Sequence, residues 1–112
     1  MAMRVPKEAD VQRACLQLLA VRGVWAWRTN AGAVKVGSRL VQLAPAGTPD
    51  ILGVLPGGRL LAVEVKAAGG RLRPSQKAWA DEARRAGAAV LLVRSAGELD
   101  DQLHDLLRGP TL

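Results

Sequence analysis

The chain has 112 residues, is 49% apolar and carries a formal net charge of +6. Its single cysteine rules out an internal disulfide, and no apolar run approaches the roughly 18 residues a membrane span needs. The basic excess is uneven: residues 1–95 hold 15 Lys/Arg against 6 Asp/Glu, while residues 96–112 hold one against 4. A basic body with an acidic tail points to a polyanionic partner, most often nucleic acid, or to plain solubility charge.

The length fits one domain, 1–112, with an aliphatic core, since Phe and Tyr are absent. The first residues lack a charged-then-apolar leader, so a cytoplasmic protein is expected. A helix is predicted from about Pro6 to Arg22, with Pro6 at its first position and Gly23 as its stop. Val11, Cys15, Leu18 and Leu19 form its apolar stripe, which makes Cys15 a buried thiol. Glu8 precedes that stripe by one turn on the same face. On its own it is an ordinary first-turn acid, favoured by the helix dipole.

Val24 to Thr29 reads as a strand in which Trp25 and Trp27 share a face, with core packing favoured over base stacking. Asn30-Ala31-Gly32 breaks it, and a second extended piece covers Leu40 to Leu43. Ala44 to Pro49 is a loop by its Pro and Gly content. Ile51–Leu55 and Arg59–Lys66 form an antiparallel hairpin through Pro56-Gly57-Gly58. If Leu55 faces Leu60, Asp50 lies opposite Val65 and next to Glu64; a one-residue bulge would put it opposite Glu64 directly.

Residues 67–74 form a loop, and Ser75 is placed to cap a helix running to about Ala86. Ala88 to Val93 is an apolar, buried strand, expected to add in parallel to a neighbour. Ser95-Ala96-Gly97-Glu98 is a capping-box pattern opening a last helix with Leu99, Leu103, Leu106 and Leu107 as its stripe. The order gives a small α/β sandwich with a mixed sheet.

The chemistry sits in the hairpin. Glu64 interrupts the apolar run Leu60–Val65, where a carboxylate is costly unless paired or metal-bound. Asp50 on the neighbouring strand supplies a second carboxylate, and two such oxygens suit Mg²⁺ or Mn²⁺. Lys66, two residues after Glu64, lies on the same strand face. An ammonium there can orient an attacking water or stabilise charge on a phosphate. The blander readings are a turn residue for Asp50, a salt bridge for Glu64 and a strand-edge charge for Lys66. Gln76 faces inward but reads, on pattern alone, as an ordinary first-turn polar residue. Arg28, Lys35, Arg39, Arg71, Arg73 and Lys77 are the candidates for contacts to a phosphate backbone. His104 has no partner for a zinc site.

These segments together resemble the VRR-NUC family of the PD-(D/E)XK nuclease superfamily. The resemblance rests on Glu8, on Arg28-Thr29-Asn30-Ala31-Gly32 and on Gly47-Thr48-Pro49-Asp50-Ile51. It continues through Glu64-Val65-Lys66, Gly70 to Trp79, and Val90 to Ser95. It implies a restriction-endonuclease-like αβββαβ core with a mixed central sheet flanked by helices, here followed by a C-terminal helix. It also implies a divalent-metal endonuclease. Asp50 and Glu64 would ligate the metal with the Val65 carbonyl, and Glu8 would hold it directly or through water. Lys66 would act on the water, Gln76 would support the site, and Asn30 would join the DNA contacts. Short members resemble Holliday-junction resolvases, which implies branched DNA as substrate and a homodimer as the working form. The competing readings are a non-catalytic nucleic-acid-binding module on the same fold and a small regulatory protein with an acidic partner.

Overall fold

The computed structural model describes residues 7–30 and 33–108. Pro6, expected at the first helical position, and Ala31-Gly32 of the strand break lie outside them. Helix α1 spans Glu8–Val21, with Glu8 and Asp10 in the first turn, where the positive end of the dipole favours them. Gly23 ends it at φ +76°, a conformation costly for other residues, and the Val24 N–H closes back on the Leu19 carbonyl at 2.9 Å.

Four strands form the central sheet in the order β1-β4-β5-β6: β1 Trp25–Arg28, β4 Ile51–Val54, β5 Leu60–Val65 and β6 Ala89–Val93. The first two pairings are antiparallel, and β6 joins β5 in parallel after crossing over through α2, Pro74–Arg85. The mixed sheet is therefore as expected. The second extended piece is not an isolated strand. Ala33–Val36 (β2) and Arg39–Gln42 (β3) pair with each other as a separate two-stranded ribbon. Neither makes a substantial contact with the main sheet or a helix, and every residue in them is exposed.

Helices α1 and α3 (Ala96–Arg108) cover one face of the sheet. There Ile51, Leu61, Val63, Val65 and Val93 meet Cys15, Leu19, Leu99 and Leu103, all fully buried. Each such aliphatic chain contributes about 1.5–3 kcal/mol by leaving water. Arg22 at the end of α1 reaches Asp100 on α3 at 2.7 Å, a half-exposed pair worth no more than about 1 kcal/mol. Half of the capping box expected for α3 forms: the Glu98 N–H donates to Ser95 Oγ at 3.1 Å, while Glu98 Oε2 accepts the N–H of Arg94, one residue before the cap.

The opposite face is covered only in part, because α2 lies over β6 and leaves β1 open. Trp25 and Trp27 point to that open side and are 73% and 40% exposed. Core packing, expected from their spacing, is thus overturned. The cap of α2 is also corrected. Arg73 is the residue before the helix, Pro74 opens it, and Ser75 sits inside the first turn. Proline's fixed φ suits that first position, and Gln76 Oε1 accepts the Arg73 N–H at 2.8 Å.

Candidate metal and nuclease site

The hairpin register decides where the carboxylates meet. Ile51 pairs with Val63 and Val54 with Leu60, so continuing by one step sets Asp50 opposite Glu64. Leu55 therefore does not face Leu60, and the two carboxylates meet through a ladder offset by one residue and not through a bulge. The cause is the turn. The Leu55 N–H donates to the Arg59 carbonyl, leaving a three-residue loop, and Gly57 and Gly58 both take φ above +90° to close it.

Asp50 is held from several sides. Its Oδ2 accepts the Val65 N–H at 2.9 Å, and its carbonyl accepts the Thr29 N–H at 2.9 Å. The Thr29 hydroxyl donates to the Pro49 carbonyl at 2.7 Å, which pins the preceding turn to β1. Gly47 explains how the loop before Asp50 fits. It has φ +84°, and a Cβ there would collide with the Ser75 carbonyl at the start of α2. A bare backbone lets the loop lie directly on that helix.

Glu64 is 6% exposed. Its Oε1 accepts from Gln76 Nε2 at 3.3 Å, and its Oε2 is buried with no hydrogen-bond partner. No ion pair reaches it among the described residues, so the salt-bridge reading is not realised. Its pKa is pushed up to about 8, first by burial, then by Asp50, which can accept a hydrogen bond from the protonated carboxyl only and repels the ionised one, and by Glu8; the Lys66 charge pulls the other way. An orphaned carboxylate oxygen beside a second carboxylate is the condition a divalent cation relieves, and all-oxygen donors suit a hard ion. The residues therefore fit a metal of the Mg²⁺ or Mn²⁺ class.

Lys66 follows on the same face and is half-buried. Gln76 is buried and bonded to Glu64, a link that pattern alone did not favour. Glu8 is exposed at the start of α1 and acts on Glu64 through its charge. Among the described residues, no three Asp, Glu, His or Cys side chains are gathered as a metal cluster, so Glu8 does not close on the carboxylate pair.

A cleft of about 340 Å³ runs beside Asp50, walled by Arg28, Thr29, Asn30 and Gln12. Asn30 holds φ +49°, the sole non-glycine in the left-handed region among the described residues. Gln12 was not singled out by the sequence, although it lies one helical turn after Glu8 and so shares its face. A second cleft, about 360 Å³, joins Gln42, Thr48, Arg73 and Gln76. Arg71 and Lys77 are exposed near it in sequence, while Lys35 and Arg39 stand apart on the β2–β3 ribbon. His104 is exposed on α3.

The VRR-NUC domain family model matches residues 7–97. The chain belongs to the VRR-NUC family. A solved structure described as a VRR_NUC domain is similar to it, with 26% identity and a TM-score of 0.64. The match covers 87% of this chain and 94% of that one. A comparison with curated proteins finds no match. VRR-NUC domains are nucleases, and the family is generally divalent-metal dependent. The VRR-NUC fold here is a mixed sheet with flanking helices and a C-terminal helix. Among the described residues, no helix is long and apolar enough to cross a membrane.

Proposed function

We propose that this chain is a Mg²⁺- or Mn²⁺-dependent, structure-selective DNA endonuclease, acting on branched DNA as a homodimer in the manner of a Holliday-junction resolvase. The observation that carries the reading is the Asp50–Glu64 pair, whose Glu64 Oε2 is buried and unpartnered. Asp50, Glu64 and the Val65 carbonyl would hold the ion, with Glu8, which does not join the pair directly, reaching it through water. The ion, when bound, would supply charge neutralisation at the scissile phosphate.

The chain's own residues do the rest. Gln76 fixes the Glu64 carboxylate by donating to Oε1, which leaves Oε2 without a protein partner. The Val65 N–H fixes Asp50 in the same way. Lys66 orients the attacking water and stabilises the charge that builds as the new P–O bond forms and the old one breaks. Arg28 and Asn30 beside Asp50, with Arg71, Arg73 and Lys77 near the start of α2, supply backbone contacts that carry no base code. Lys35 and Arg39 extend that surface along the ribbon. One such domain has one catalytic centre, so symmetric paired incision needs two copies related by a two-fold axis. The exposed Val36 and Leu40 of the ribbon support this, since a lone two-stranded ribbon is marginal in water and these apolar side chains stand open to a second copy.

The test is a panel of labelled substrates: a four-way junction, a flap, a linear duplex and a single strand. Each is incubated with Mg²⁺ or Mn²⁺, with wild type and with Asp50→Ala. Paired symmetric cuts in the junction, absent with chelator and in the variant, are expected. A folded protein that binds DNA but cuts no substrate in either metal would replace this reading with the non-catalytic binding module.

A further inference from the structure

The two tryptophans of β1 share a sheet face with the carboxylates. Trp27 pairs with Leu52, and Leu52 with Ala62. Two residues further along those strands stand Asp50 and Glu64, about 7 Å on. Trp25 and Trp27 lean on each other, with ring centroids 5.1 Å apart and planes tilted by 53°.

Trp27 is also one wall of an open groove of about 380 Å³. Trp79 of α2, Leu52 and Pro45 complete its walls, with Thr29 and Thr48 at its edges. The groove shares Thr29 with the Asp50 cleft, which Arg28 lines, and Thr48 with the cleft that Arg73 lines. Both threonine hydroxyls are already spent on Pro49 and Pro45 carbonyls. The groove therefore offers flat apolar faces and no hydroxyl code, with Arg73 lining the cleft that adjoins it at Thr48. Its occupant is flat, apolar on its faces and attached to a polyanionic chain.

We infer that the Trp27–Trp79 groove receives an unpaired nucleobase of the bound DNA strand, an inference that rests on the nuclease reading for its substrate. Every base has a π-face, so stacking there is tolerant of sequence, and a base inside a continuous duplex has both faces already stacked. The groove thus selects strands with unpaired nucleotides, such as those of flaps, gaps and frayed ends. The charge of the chain, +6, complements a polyanionic strand passing from the indoles toward Arg73.

The test is a metal-free titration, in chelator, of the full chain with a short oligothymidylate and with a blunt duplex of equal length. Tryptophan fluorescence and anisotropy give the affinities, for wild type, Trp27→Ala and Trp27→Phe. Wild type is expected to show quenching by the oligothymidylate. Trp27→Ala should bind it about 5- to 150-fold more weakly while duplex affinity changes less than about twofold, and Trp27→Phe should recover most of the loss. Equal losses on both DNAs, or none on either, overturn the inference and leave the nuclease reading standing. Sedimentation that turns a wild-type dimer into a monomer on Trp27→Ala also overturns it, since the groove is then a contact between copies. Wild type that binds neither DNA, nor any branched DNA, sinks the nuclease reading itself.

Discussion

Replacing Glu64 with glutamine should stabilise the metal-free protein, by an amount that grows as pH rises from about 4.5 to about 8. The native carboxyl ionises near pH 8 instead of 4.5 because it is buried beside Asp50. Between those values the folded state holds a proton that the unfolded chain has released, so stability falls as pH rises. At about 1.4 kcal/mol per pH unit the loss across the window is on the order of 3–5 kcal/mol. The glutamine of Glu64→Gln keeps the same shape. Its oxygen still accepts from Gln76, and its amide can face the Asp50 carboxylate. Urea melts in chelator at pH 5 and pH 9 give the comparison. The two proteins should match at pH 5, and the variant should be the more stable at pH 9. Added Mn²⁺ should then raise the wild-type melting temperature at pH 8 and leave the variant nearly unmoved. A wild-type stability that is flat from pH 5 to 9, or a variant weaker at pH 9, would refute the account of Glu64.

Two further outcomes test the frame around the site. Gly47→Ala combines a positive φ with a clash against the α2 backbone, its Cβ falling 2.9 Å from the Gln76 N. It should cost more than about 2 kcal/mol in denaturant melts and lower cleavage as well, whereas Gly37→Ala, with open space around it, should cost about 1 kcal/mol or less. Cys15 is fully buried, and burial pushes its thiol up to about 11. It should stay unreactive toward a disulfide reagent at pH 8 in the native protein and react at once in denaturant; a fast native reaction would mean that α1 opens readily.

Local pattern carried most of the scaffold. The stripe Val11, Cys15, Leu18, Leu19 marks the face that α1 buries, and Leu99 and Leu103 do the same for α3. Glu64 stood out because one carboxylate in an apolar strand demands a partner. What stayed illegible depends on contacts between distant segments. The exposure of Trp25 and Trp27 follows from where α2 comes to rest, which no spacing within β1 encodes. The register of Asp50 against Glu64 turned on two glycine dihedrals in the hairpin loop. Gln76 looked ordinary because its bond to Glu64 spans the crossover from β5 to α2. The ribbon escaped notice because Ala33–Val36 is too short for its alternation to count against the break before it.

That ribbon has a consequence for how the molecule comes apart. Because β2 and β3 make no substantial contact with the main sheet or a helix, their cross-strand amides belong to a separate cooperative unit. Hydrogen exchange in the free monomer should show them losing protection within the first time points. The amides of β4, β5 and β6 should be released only with global unfolding. Thermal scans that follow the core would miss the ribbon's melting altogether. A protease that nicks the turn at Gly37 would leave the Asp50–Glu64 hairpin intact, so catalysis could outlast an arm that has already been cut.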